Sequence, residues 1–74
     1  MSAPIVILGI DPGLQRCGWG IILSEGVRLS YVAHGVIKPK TDSALSVRLG
    51  AVYEGLSDVI AAHAPHQAAV EETF

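Results

Sequence analysis

The stretch Ile5-Val6-Ile7-Leu8-Gly9-Ile10-Asp11-Pro12-Gly13-Leu14-Gln15-Arg16-Cys17-Gly18-Trp19-Gly20 carries the reading of this chain. An apolar run over residues 5–10, rich in β-branched side chains and stopped by Asp-Pro-Gly, predicts a short strand buried on both faces. Pro12 and Gly13 suit a turn, with Pro pre-set for the second position and Gly free to take positive φ. Asp11 therefore stands at the carboxyl end of a central strand, where open α/β sheets place their ligands. The same Asp is also good turn chemistry, so this segment alone leaves the functional and structural readings open.

Working outward, residues 16–24 predict a second strand, with Cys17, Trp19, Ile21 and Leu23 on one face and Gly18 and Gly20 on the other. Glycines inside a strand mark close approach by a ligand or another backbone. Glu25-Gly26 reads as a two-residue hairpin connection, and residues 27–38 as a third strand. Together these make an antiparallel meander. Asp42 and Ser43 are N-cap candidates for a helix. Its apolar face is Leu45, Leu49, Val52, Tyr53, Leu56, Val59, Ile60 and His63, at spacings of three and four. Gly50 and Gly55 weaken that helix unless they permit close packing on the sheet. Pro65 ends it, and residues 67–71 form a fourth strand. A strand–helix–strand crossover predicts that the fourth strand runs parallel beside the first. That brings Asp11 and a carboxylate from the Glu71-Glu72 pair to neighbouring strand ends.

Two carboxylates held together need either a shared proton or a cation between them. Oxygen-only ligands favour Mg²⁺, with Mn²⁺ able to substitute, and a bridging carboxylate can hold two ions for phosphodiester chemistry. Glu71 and Glu72 point to opposite faces of a strand, so only one of them joins Asp11.

Composition sets the limits. In 74 residues, half are hydrophobic and 16% are charged. A chain of this size buries only about 60% of the surface it exposes when unfolded. The expectation is an incomplete domain: residues 1–74 as the N-terminal part of a single domain, self-associating through an uncovered sheet face when alone. The net charge of −2 excludes a basic nucleic-acid surface on this segment. A lone Cys17 excludes a disulfide framework or a zinc cluster. The N-terminal apolar run is too short to span a bilayer and lacks a basic leader, so the expected location is a reducing cytoplasm.

With these residues placed, the chain resembles the RuvC family of Holliday junction resolvases, in the ribonuclease H-like superfamily. Ile7-Leu8-Gly9-Ile10-Asp11-Pro12-Gly13 with Gly18-Trp19-Gly20 is similar to its opening motif. Arg48-Leu49, Tyr53-Glu54-Gly55-Leu56 and Val59-Ile60 resemble its first helix, and Pro65 with Ala69-Val70-Glu71 the approach to its second catalytic strand. The resemblance implies an α/β, ribonuclease H-like fold: a three-stranded antiparallel meander, one helix, and a fourth strand parallel to the first. It implies a Mg²⁺-dependent homodimer that nicks four-way junction DNA symmetrically and works with a branch-migration translocase. It assigns Asp11 and Glu71 as catalytic metal ligands, with two further acids beyond residue 74, and leaves Glu72 as a surface carboxylate. It places Phe74 where an aromatic stacks on a DNA base; filling of the core is the other reading of that ring.

Two other nuclease or nucleotide classes begin similarly. Actin-like ATPases and kinases also open with a strand, an Asp and a hairpin, but their phosphate-cradling turn carries hydroxyls, and residues 13–17 have none. The pre-ribosomal-RNA processing nucleases share the strand-end Asp but not the helix pattern. A third reading is that residues 1–74 form a folded but inactive part. Trp19, Tyr53 and Cys17 read as core residues. His34 is a packed or surface histidine, and neither His63 nor His66 reads as a ligand, though His63 suits the negative end of the helix. Arg16 reads equally as a phosphate contact beside Asp11 or as a solvated turn residue, and Lys38 and Lys40 read as solvated loop charges.

Overall fold

The computed structural model describes residues 3–13, 15–40 and 42–71. Three strands form the meander: β1 (Ile5–Asp11), β2 (Cys17–Glu25) and β3 (Arg28–Ile37). Helix α1 (Leu45–His63) and β4 (Gln67–Val70) follow. The sheet order is β3-β2-β1-β4, with β1 antiparallel to β2 and parallel to β4. The expected architecture is thus the observed one, and β1, the apolar run that opens the chain, is a central strand.

Register decides which side chains share a face. Leu8 stands opposite Ile21, which stands opposite Ala33. Leu8 and Ile21 are fully buried and meet Val59 of α1, with Val6, Ile10, Trp19 and Ala33 packed around them. Fully burying one such side chain stabilises the fold by about 1.5–3 kcal/mol. The indole of Trp19 lies over Gly35, where a Cβ would come within 2.7 Å of the ring. The indole also meets His63, with ring centroids 5.9 Å apart. Alternation then sends Gly9, Asp11, Gly18 and Gly20 to the face turned away from α1.

Several local expectations are corrected. The hairpin turn is Gly26-Val27, closed by the Glu25–Arg28 pair. Gly26 has φ +61° while Val27 does not take positive φ, the pattern of a type II′ turn. The helix N-cap is Ala44, which makes no side-chain cap. Neither Asp42 nor Ser43 caps, because the chain is still turning there: the Ser43 hydroxyl and N–H both donate to the Lys40 carbonyl. Tyr53 is 74% exposed, not core. Leu45, Leu49 and Ile60 of the same predicted apolar face are exposed as well. Ala64 ends the helix in the left-handed region (φ 46°, ψ 56°), its N–H donating to the Ile60 carbonyl at 2.8 Å. Among the described residues, no helix is long and apolar enough to cross a membrane.

Candidate metal-binding site on the sheet

Asp11 is the last residue of β1 and is exposed. Pro12 and Gly13 then lead the chain out of the sheet. Glu71 stands one residue past β4, where its N–H donates to the Ile10 carbonyl at 2.9 Å. The ladder pairs Ile10 with Val70, so the next step sets Glu71 beside Asp11. Neighbouring strands lie about 4.8 Å apart, so the two residues stand side by side at the strand ends. The two residues are 60 positions apart in sequence, and the parallel pairing alone brings them together.

Between them and β2 lies an open cleft of about 540 Å³, lined in part by Gly9, Asp11, Gly18, Gly20, Ala69 and Glu71. Gly9, Gly18 and Gly20 leave three positions of its lining without side chains. A Cβ on Gly18 would sit 3.8 Å from the Asp11 Cβ, so Asp11 lies directly across that glycine. The small residues come from one cross-strand row, Ala69–Gly9–Gly20, which ends on His34 of β3. Such a floor lets a ligand's backbone approach the sheet closely. The negative charge of Asp11 is felt nearby. The Cys17 thiol is pushed up from its ordinary value by burial first and by the Asp11 charge second.

The donors are oxygen only, as a hard divalent cation requires. Such an ion is commonly held by one or two carboxylates, with waters and substrate phosphates completing the shell. Asp11 and Glu71 fit that role in kind and number. Among the described residues, no group of three or more His, Cys, Asp or Glu side chains is placed to hold a metal by itself. Glu72 and Phe74 lie outside the described residues.

Two features escaped the sequence reading. Tyr31 and His34, both exposed, share a hydrogen bond of 3.0 Å. Residues three apart in a regular strand point to opposite faces, but the ladder skips Val32, pairing Ile21 with Ala33 and Ile22 with Tyr31. That bulge returns both rings to one face. His66 is the other: its ring nitrogen accepts a hydrogen bond from the Val6 N–H. A bulge and a contact across 60 residues leave no local signature.

The mixed four-stranded sheet with its single crossover helix defines a ribonuclease H-like fold. Two solved structures match it over 95% of this chain: Thermus thermophilus RuvC, at a TM-score of 0.83 and 29% identity, and T. thermophilus RuvC in complex with Holliday junction substrate, at 0.84 and 28%. The family profile of crossover junction endodeoxyribonuclease RuvC matches residues 7–74. The chain belongs to the RuvC family. The crossover junction endodeoxyribonuclease RuvC of Hyphomonas neptunium is 55% identical over 74 residues, and that of Rhodopseudomonas palustris strain TIE-1 is 58% identical over 71. This chain spans 44% and 41% of the length of those two relatives.

Proposed function

We propose that this chain is the N-terminal part of a single-domain, Mg²⁺-dependent endonuclease that resolves four-way DNA junctions by paired symmetric nicks. The observation that carries the reading is the meeting of Asp11 and Glu71 at adjacent strand ends beside a glycine-floored cleft. Family membership supports the substrate class, since one structural relative was solved with Holliday junction substrate.

In this reading Asp11 and Glu71 bind and orient the cation, and the bare floor at Gly18 and Gly20 admits the sugar-phosphate backbone. Mg²⁺ bound there supplies charge neutralisation and an acidified water for attack on a phosphodiester. In that hydrolysis the water oxygen would join phosphorus as one phosphorus–sugar oxygen bond breaks, and a proton from the water would pass to the leaving oxygen. Phe74 stacks on a base near the junction centre, a contact worth about 1–3 kcal/mol. The working form is a cytoplasmic homodimer acting with a branch-migration translocase. Two further acidic ligands come from outside these residues, so residues 1–74 alone bind Mg²⁺ weakly and do not cut.

The test is cleavage of an end-labelled synthetic four-way junction by the protein expressed from its complete reading frame, with Mg²⁺. Asp11→Asn and Glu71→Gln should each lower the rate by at least about 100-fold, beyond the 10–100-fold cost of losing a metal ligand's outer partner. Binding of the junction without nicking by the parent protein would refute the catalytic assignment.

A further inference from the structure

His66 holds β4 to β1 twice. Its backbone N–H donates to the Val6 carbonyl at 2.8 Å. Its ring Nδ1 accepts from the Val6 N–H at 3.0 Å. The regular ladder begins one residue later, at the pair Ile7–Gln67. The ring nitrogen therefore stands where a strand neighbour would have offered a carbonyl, because the chain before it is still leaving the helix through Ala64 and Pro65. At the other end of the same short ladder, Glu71 docks on Ile10. Only four residue pairs separate the two ends. A slip of one residue in that register would turn Glu71 to the opposite face.

We infer that His66 is a positioning residue for the acidic pair: its ring pins the register of β4 on β1, and the pin releases when the ring is protonated. A protonated imidazole has no acceptor nitrogen, so the Val6 N–H would then face another N–H. Imidazole is the side chain whose charge ordinarily changes between about pH 5 and 8. Among the described residues, other ionisable groups near this end of the sheet are few. Residues 3–10 of β1 and its lead-in carry none. The last turn of α1 brings His63, whose ring is engaged with Trp19. The β2–β3 hairpin brings Glu25 and Arg28, on the far side of β1 from β4.

The consequence for cutting rests on the proposed nuclease reading; the pin itself does not. Two variants of the complete protein separate them. His66→Asn puts a non-titrating acceptor at the position of Nδ1, and His66→Ala removes the acceptor. The measurements are Val6 amide exchange and Mg²⁺-dependent junction cutting, each compared between variants at about pH 8 and about pH 5.5. At the higher pH the parent and His66→Asn should match, and His66→Ala should exchange about fivefold faster, the effect of one ordinary hydrogen bond, and cut more slowly. At the lower pH the parent should fall toward His66→Ala in both readouts while His66→Asn keeps its protection and outpaces it. If His66→Ala does not fold, the comparison of His66→Asn with the parent still decides. A parent-to-Asn ratio that stays flat between the two pH values in exchange overturns the pin. A ratio that changes in exchange but not in cutting overturns the positioning role. Absence of cutting by every protein refutes the nuclease reading and leaves the exchange result to decide the pin.

Discussion

Cys17 is 1% exposed and opens β2 just after the turn that follows Asp11. Its thiol is raised from an ordinary 9.0 by burial and by the Asp11 charge. The folded chain therefore keeps its proton where the unfolded chain has already lost it. The stability this contributes is fully present below pH 9.0 and is lost as pH rises through the folded value. We expect the urea midpoint of the parent to fall more steeply above pH 9.0 than that of Cys17→Ala, which lacks the titrating group. Equal slopes would show that the thiol is solvated in the folded protein. Nearby, Gly13 has a different constraint, since a Cβ there would meet the Arg16 carbonyl at 2.6 Å. Asp-Pro-Gly was readable in the sequence as a turn after a strand-end carboxylate. The crowding that requires the glycine comes from Arg16, and it appears only once the chain has turned.

At the scale of elements, the two helix glycines look alike in sequence and differ in place. A Cβ on Gly50 meets nothing within 4 Å, whereas one on Gly55 would come within 2.7 Å of Ile37 on β3. Gly50→Ala should stabilise the protein by about 0.5–1 kcal/mol, the ordinary helix gain. Gly55→Ala should destabilise it by about 1–3 kcal/mol through overpacking. Opposite shifts in thermal midpoint are the expected result, and two shifts of the same sign would mean that α1 does not approach β3 at Gly55. The helix and the three meander strands were legible because their apolar periods are strong. The N-cap was not, because Ser43 commits its hydroxyl to Lys40. The buried side of the helix was legible only in part. Val59 is core and Tyr53 is not, and which of a helix's apolar positions meet the sheet depends on how the helix is set on it, which is not a property of the helix sequence. For the site, Asp11 and a carboxylate from the Glu71-Glu72 pair could be set at neighbouring strand ends, and the choice of Glu71 came from the family resemblance. The Ala69–Gly9–Gly20 row depends on register across three strands and could not.

At the scale of the molecule, these residues make a slab of 49 × 27 × 15 Å, one sheet with one helix on one face. Its Cα radius of gyration is 13.8 Å, against about 11 Å for a compact domain of this length. Leu29, Tyr31, Val32 and Val36 of the edge strand β3 are all exposed, as a single-layer cover leaves them. The bulge at Val32 interrupts that edge, and an interrupted edge is a poorer template for pairing with another chain. The low net charge expected to argue against a basic surface and the exposed carboxylates at the cleft belong together: this part of the fold presents the acids of the proposed site.

The parallel pairing of β1 with β4 has a kinetic consequence. β1, β2 and β3 are joined by short turns, and their contacts close loops of a few residues. Glu71 reaches Ile10 only after a loop of about sixty residues has closed, and such closure is slow to be rewarded in folding. The meander should therefore form first and the acidic pair last, so that a nascent or partly refolded chain holds a strand sheet in which Asp11 and Glu71 have not yet met. Pulse-labelled amide exchange during refolding should find the β1–β2 amides protected before the Glu71 amide. Simultaneous protection would mean that the ends of the chain meet in the first folding step.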